Sequence, residues 1–146
     1  MRDLWWVIGT MMVMIVISVC DVKTKTIPCW GLSVIFALTI IRVAYNLVVY
    51  KATWIDVVVS MVPGIFLITL SLISEGKIGM GDGILITLLG MSIGLEDCVY
   101  MLTAALILNC LFVLILFVRH KVTKETQIPF APFITLGMGV ITFALV

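Results

Sequence analysis

Two aspartates of this 146-residue chain, Asp21 and Asp82, stand where a carboxyl group can do chemistry. Asp21 directly follows the apolar run 17–20, and Asp82 lies just before the apolar run 84–86. A carboxylate at the edge of an apolar segment is costly, and such residues are typically functional. Two carboxyls held together in a partly dry site share a proton, so one can activate water while the other hydrogen-bonds a carbonyl. The pair is therefore a candidate for amide hydrolysis, whereas a single aspartate here would more often be a helix cap or a topology marker.

Three glycines surround the second aspartate, in the run Gly79-Met80-Gly81-Asp82-Gly83. Glycine lets another backbone approach closely and adopts conformations that other residues avoid. A peptide must be extended to be cut, and a glycine-lined edge could accept its backbone as an added strand. We therefore assign the three glycines to substrate binding or to support of the carboxylate.

Other chemistries find little support in the sequence. The single histidine, His120, lies in a basic loop, and the cysteines Cys20, Cys29, Cys98 and Cys110 show no C-x-x-C spacing. The cysteines therefore indicate neither a metal site nor a disulfide framework, and we expect them to fill space between helices. No basic patch interleaved with aromatic residues indicates nucleic-acid binding. We expect no metal and no cofactor.

The elements that must position the aspartates are transmembrane helices. The chain is 63% hydrophobic and 12% charged, with a mean hydropathy of +1.31. A soluble domain carries about 25% charged residues, so lipid must cover this surface. Unpaired strand edges are not tolerated in lipid, and we expect one all-α domain over residues 1–146, a polytopic bundle of about six transmembrane helices. The predicted segments are 4–20, 31–50, 54–74, 83–94, 98–118 and 129–146, of which 83–94 is the weakest, and Pro63-Gly64 predicts a kink in the third.

The connections between these segments differ in charge. The first, third and fifth hold six of the nine basic residues, namely Lys23, Lys25, Lys77, Arg119, Lys121 and Lys124. The positive-inside rule therefore predicts that these loops are cytoplasmic and that both termini lie outside. Asp21 begins the first connection and Asp82 ends the third. Because successive connections alternate between the two sides of the membrane, the helix count alone predicts that the two aspartates lie at the same face.

Three stretches, in order along the chain, resemble the type IV prepilin peptidases and preflagellin peptidases, which are GxGD membrane aspartyl proteases. They are Asp-Val-Lys-Thr-Lys-Thr-Ile-Pro at 21–28, Gly-Lys-Ile-Gly-Met-Gly-Asp at 76–82 and Ile-Pro-Phe-Ala-Pro-Phe at 128–133. The resemblance implies a plasma-membrane endopeptidase that removes the leader of prepilin-like proteins at the cytoplasmic face. It implies that Asp21 and Asp82 are the catalytic pair and that no metal is needed.

The sequence departs from that family at informative positions. The aspartate of the GxGD motif is usually followed by Val-Lys, but here by Gly83 and Ile84. Lys23 or Lys77 is the candidate to replace the missing basic residue. Relatives often have asparagine where Cys29 stands. The paired C-x-x-C region of the bifunctional relatives is missing from this sequence, which predicts a protease without N-methyltransferase activity.

Two other functions remain open at this stage. A non-catalytic assembly component derived from the same fold would tolerate change around the carboxylates, and the missing lysine after Asp82 is compatible with it. A cation-coupled transporter would need ionisable residues distributed through the membrane. Only Arg42 and Asp56 could serve in that way, and both lie toward the other face. The oligomeric state is not predicted by the sequence.

Overall fold

The computed structural model of the chain describes residues 4–24, 26–51, 53–74, 79–119 and 129–144. These residues form helices and the turns between them, and none of them is in a β-strand. The helices are α1 (Leu4–Thr24), α2 (Cys29–Val49), α3 (Trp54–Ser60), α4 (Val62–Ile73), α5 (Met80–Ile93), α6 (Leu95–Val118) and α7 (Ala131–Ala144).

The predicted membrane helix bundle is confirmed. Four described stretches are long and apolar enough to cross a bilayer: α1, α2, α6 and the combined α3–α4 segment Trp54–Ile73. The helices α5 and α7 are apolar but shorter, with 14 residues each. Large apolar side chains cover the outside of the bundle, as expected for a multi-pass membrane protein whose surface faces lipid.

The third predicted span is interrupted where the sequence predicted a kink. Met61 forms a turn between α3 and α4, and Pro63 lies in the first turn of α4. Proline has no N–H and its ring clashes with the carbonyl four residues earlier, so a helix tends to break just before it. The adjacent Gly64 is buried against Thr87 of α5, where a Cβ would overlap the backbone of Thr87. The break and the glycine together bring α4 into close contact with α5.

The helix α5 forms the centre of the bundle. Its buried segment 85–90 packs among α2, α3, α4 and α6, which explains why it is apolar on all sides. Trp6, near the start of α1, donates its indole N–H to Ser92, near the end of α5, at 3.0 Å. α1 and α5 therefore run in opposite directions. We call this end of the bundle the Trp6 end, and the opposite end the Asp21 end.

The helices around the two aspartates are longer than the hydropathy pattern predicted. The first continues to Thr24 instead of ending at residue 20, and α5 begins at Met80 instead of residue 83. Asp21 thus lies in the last turn of α1, and Asp82 lies in the first turn of α5. Polar residues continue a helix when no proline or glycine stops it, and an acidic residue is favourable in the first turn of a helix.

Candidate active site

Asp21 is buried between α1 and α7, with only 4% of its surface exposed. Its Oδ2 accepts a hydrogen bond from the backbone N–H of Ala131 at 3.2 Å, and the N–H of Phe130 contributes a second interaction. Ala131 is the first residue of α7, and Phe130 directly precedes it. A carboxylate from α1 therefore caps the N-terminus of α7, where unpaired N–H groups and the helix dipole favour negative charge.

The first turn of α7 explains why donors remain for Asp21. Phe133 and Ile134 donate their N–H groups to the carbonyl of Phe130, at 3.0 and 3.2 Å. Pro132 has no N–H. The N–H of Ala131 is thus the donor that this turn does not satisfy from within, and the carboxylate of Asp21 accepts its hydrogen bond.

A buried hydroxyl pair joins α1 to α7 one turn away from Asp21. The Ser18 and Thr135 hydroxyl oxygens lie 2.6 Å apart. Thr135 also lies within hydrogen-bonding distance of the carbonyls of Ala131, at 3.0 Å, and Met14, at 3.3 Å. Ser18 precedes Asp21 by three residues and Thr135 follows Ala131 by four, so each hydroxyl is on the same helix face as the group it supports. The pair fixes the position of the Asp21 carboxyl relative to α7.

Asp82 lies at the same end of the bundle as Asp21, and the two carboxyl groups interact electrostatically. Its side chain turns back toward Gly79, the residue that precedes α5. A Cβ added at Gly79 would lie 2.7 Å from Oδ2 of Asp82, well inside ordinary contact distance. The glycine therefore makes room for the carboxylate. Asp21, in the last turn of α1, and Asp82, in the first turn of α5, lie at the same end of the bundle.

The other two glycines of the motif have different surroundings. At Gly81 a Cβ would lie 3.4 Å from the Cδ1 atom of Ile27, which is ordinary contact with the chain just before α2. Gly83 is buried, and a Cβ there would lie 2.7 Å from a side-chain carbon of Ile68 and 3.0 Å from its backbone nitrogen. Gly83 thus serves the contact between α4 and α5, whereas the sequence suggested support of the carboxylate or a substrate.

The two lysines proposed from the sequence are only partly described. Lys23 is exposed in the last turn of α1, two residues after Asp21. Lys77 lies outside the described residues. Across the described ranges, no group of three or more histidine, cysteine, aspartate or glutamate side chains is arranged to hold a metal ion. Cys98 is fully buried against Gly90, as expected for a cysteine that fills space, but the same expectation is wrong for Cys29 and Cys110, which are exposed.

Comparison with known proteins assigns the chain to a family. Residues 8–118 match the type IV leader peptidase family, and this range contains Asp21 and Asp82. The chain belongs to the type IV leader peptidase family. The family resemblance found in the sequence is thereby confirmed, although its third motif, at 128–133, lies beyond the matched residues, and the family is one of proteases. No curated protein and no solved structure matches the chain.

This leader peptidase family member has site residues that sequence reasoning missed. They are the Phe130 and Ala131 N–H groups and the hydroxyl pair of Ser18 and Thr135. All except Ser18 lie beyond the range matched by the family. One signal was present, since Pro132 indicated the start of a helix and hence unpaired N–H groups nearby. Nothing in the sequence indicated that Asp21 would accept one of them.

Proposed function

We propose that the chain is an aspartyl endopeptidase that removes the leader from type IV prepilin-like or preflagellin-like substrates, without N-methyltransferase activity. The observation that carries this proposal is the location of Asp21 and Asp82 at the same end of the bundle, with Asp21 held by the start of α7. Membership of the type IV leader peptidase family supports the same reaction class.

Each carboxyl group has a distinct role in this proposal. The N–H groups of α7 make Asp21 the better candidate for the charged member, because hydrogen bonds from N–H groups favour a carboxylate. Asp21 then takes a proton from a water held between the two groups. The resulting hydroxide attacks the scissile carbonyl carbon, while protonated Asp82 hydrogen-bonds the carbonyl oxygen. Collapse of the tetrahedral intermediate breaks the C–N bond, and Asp21 gives the proton it took from the water to the leaving amine.

The substrate side of the proposal follows from the position of the site. Asp21 and Asp82 lie at helix ends, near the membrane surface. A substrate helix in the same membrane has the residues that flank its apolar segment at the same level. Lys23, in the last turn of α1, and Arg119, directly after α6, are basic residues at the Asp21 end of the bundle. Basic residues at one end of a bundle favour the cytoplasmic side for that end. We therefore propose that cleavage occurs at the cytoplasmic face, just before the hydrophobic helix of the substrate.

The test is cleavage of a prepilin-like substrate by the purified enzyme and its Asp21→Asn and Asp82→Asn variants. Asparagine is the informative replacement because its side-chain oxygen still accepts the Ala131 N–H, so the cap on α7 is kept. We expect each variant to lose leader cleavage by about 100- to 10,000-fold, the range typical when one member of an acid–base pair is removed. Expression and thermal unfolding should stay near those of the wild type.

Glu96→Gln is the matched control, since it neutralises an exposed carboxylate in the first turn of α6, at the Trp6 end. It should cleave like the wild type. Full activity in either asparagine variant would refute the catalytic pair. A wild-type protein that cuts no prepilin-like substrate would instead favour the non-catalytic assembly component.

A further inference from the structure

A mainly apolar recess with a few charged side chains opens at the Trp6 end of the bundle, opposite the two catalytic candidates. Its volume is about 400 Å³, and it is lined by residues from six helices, among them Trp6, Arg42, Asp56 and Asp97. The recess exists because α5 is short: 14 residues rise about 21 Å, against about 30 Å for the apolar core of a bilayer. At its end, Gly94 adopts a φ of +95° and turns the chain directly into α6.

The wall of this recess carries charges of both signs within membrane helices. Arg42 lies two turns before the end of α2, and its Cζ is 5.9 Å from the ring centroid of Trp6 and 5.8 Å from that of Tyr45. Asp97 is buried, with 7% of its surface exposed. Arg42 and Asp97 also make further interactions with the chain, which hold them in place. An ionisable residue inside a membrane helix, such as Arg42, typically faces a cavity and marks a functional site.

The third charged group is set at the mouth of the recess. Asp56 is exposed in the first turn of α3, and its Oδ2 accepts a hydrogen bond from the N–H of Thr53 at 3.1 Å. This cap fixes its carboxylate beside the cavity. The recess thus presents one guanidinium and two carboxylates, and a complementary ligand combines an anionic group with a positively charged one.

We propose that this recess binds a zwitterionic headgroup in which a phosphate is joined to a primary ammonium, as in phosphatidylethanolamine. The phosphate would pair with the guanidinium of Arg42, which suits phosphate better than an ammonium does. The primary ammonium would donate hydrogen bonds to Asp56 and Asp97. A choline headgroup has no N–H to donate, and a glycerol headgroup has no positive charge, so both fit less well.

The surroundings of the recess favour a lipid over a free solute as the source of this headgroup. Trp5 and Trp54, which flank the recess on α1 and α3, are 88% and 69% exposed, as is typical of tryptophans at a membrane interface. Val48 and Ile55 also expose most of their surface nearby. Acyl chains can therefore lie along the apolar helix surface while the headgroup reaches the charged side chains of the recess.

The test is lipid binding by the purified full-length protein, measured by native mass spectrometry and by thermal unfolding in detergent. The probes are phosphatidylethanolamine, phosphatidylcholine and phosphatidylglycerol with identical acyl chains, and soluble phosphoethanolamine. We expect phosphatidylethanolamine to bind at least tenfold more tightly than the other two lipids. Equal affinity for the three lipids would overturn the proposal without any variant. If soluble phosphoethanolamine binds and phosphatidylethanolamine does not, the proposal that the headgroup belongs to a lipid is refuted.

Three variants locate the binding. Arg42→Gln and Asp97→Asn should each weaken phosphatidylethanolamine binding by tenfold or more. The control Arg119→Gln neutralises an exposed arginine that lines neither this recess nor the cavity beside it, and it should bind like the wild type. Wild-type affinity in Arg42→Gln or Asp97→Asn, or an equal loss in the control, would overturn the proposal. Leader cleavage is not the readout, so the outcome is independent of the proposed protease activity.

Discussion

The replacement of Gly79 by alanine tests how closely the Asp82 carboxylate is positioned. Gly79 has φ −63° and ψ 116°, a conformation that alanine adopts without strain. The added Cβ would lie 2.7 Å from Asp82 Oδ2, whereas ordinary contact begins at 3.4 Å. The carboxylate oxygen must therefore move by about 0.7 Å, and it can do so by side-chain rotation because no backbone atom stands in the way of the Cβ.

The expected effect is on catalysis, with little effect on stability. A displacement of 1 Å in a catalytic group can cost about 100-fold in rate, so a shift of this size should lower leader cleavage by about 10- to 100-fold. Gly79 precedes α5 as its cap residue, and glycine at that position is better than alanine by about 1 kcal/mol or less. The thermal unfolding of Gly79→Ala should accordingly stay close to that of the wild type.

The matched control is Gly81→Ala in the same motif. Its Cβ would make ordinary contact with Ile27, at 3.4 Å, and alanine is favoured over glycine inside a helix by about 1 kcal/mol. We expect it to retain activity within a few-fold. The assay is kcat/KM for cleavage of a prepilin-like substrate in detergent, with unfolding measured on the same preparations. Full activity in Gly79→Ala, or an equal loss in Gly81→Ala, would refute this account of the Asp82 position.

Three further predictions concern the packing of the bundle and its chemistry. Gly64→Ala should destabilise the protein by about 1–3 kcal/mol, because its Cβ would overlap the Thr87 backbone. Gly9→Ala, with no atom within 4 Å of the new Cβ, should be neutral or slightly stabilising in the same unfolding measurement. A double-mutant cycle of Ser18→Ala and Thr135→Val should give a coupling energy near 0.6 kcal/mol, the average for hydrogen bonds between membrane helices, and a value of zero would exclude the 2.6 Å contact. Leader cleavage should continue undiminished in excess EDTA, and a loss that added metal restores would point to different chemistry.

The six apolar segments of the bundle followed from the sequence, although the third is divided into α3 and α4, and α5 and α7 have only 14 residues each. Lipid requires backbone groups to be hydrogen-bonded within helices, so hydropathy locates the apolar segments. The common location of Asp21 and Asp82 followed from the helix count, since two odd-numbered connections must share a face. The interruption near Pro63 was also predicted, because the missing N–H of proline acts locally.

The details of the site depend on partners that are distant in the sequence. The acceptor for the Ala131 N–H is Asp21, which is 110 residues away. The atoms that a Cβ at Gly83 would overlap belong to Ile68 of α4. Hydropathy also ended α1 at residue 20, because it counts the polar residues of the last turn as loop. Local patterns indicate that glycine is needed near Asp82, but they do not indicate whether each glycine faces the carboxylate, another helix or the substrate.

The cap on α7 links the stability of the bundle to the proposed catalysis. A buried carboxylate is tolerated only with hydrogen-bond partners, and the start of a helix supplies them without any additional charged side chain. The donors are backbone N–H groups, so many sequences could provide them if α7 begins at the same place. A segment beyond the matched residues 8–118 can therefore contribute to the site through its backbone alone. If Asp21 is the charged member of the pair, any change that moves the start of α7 away from α1 should impair cleavage even when both aspartates are intact.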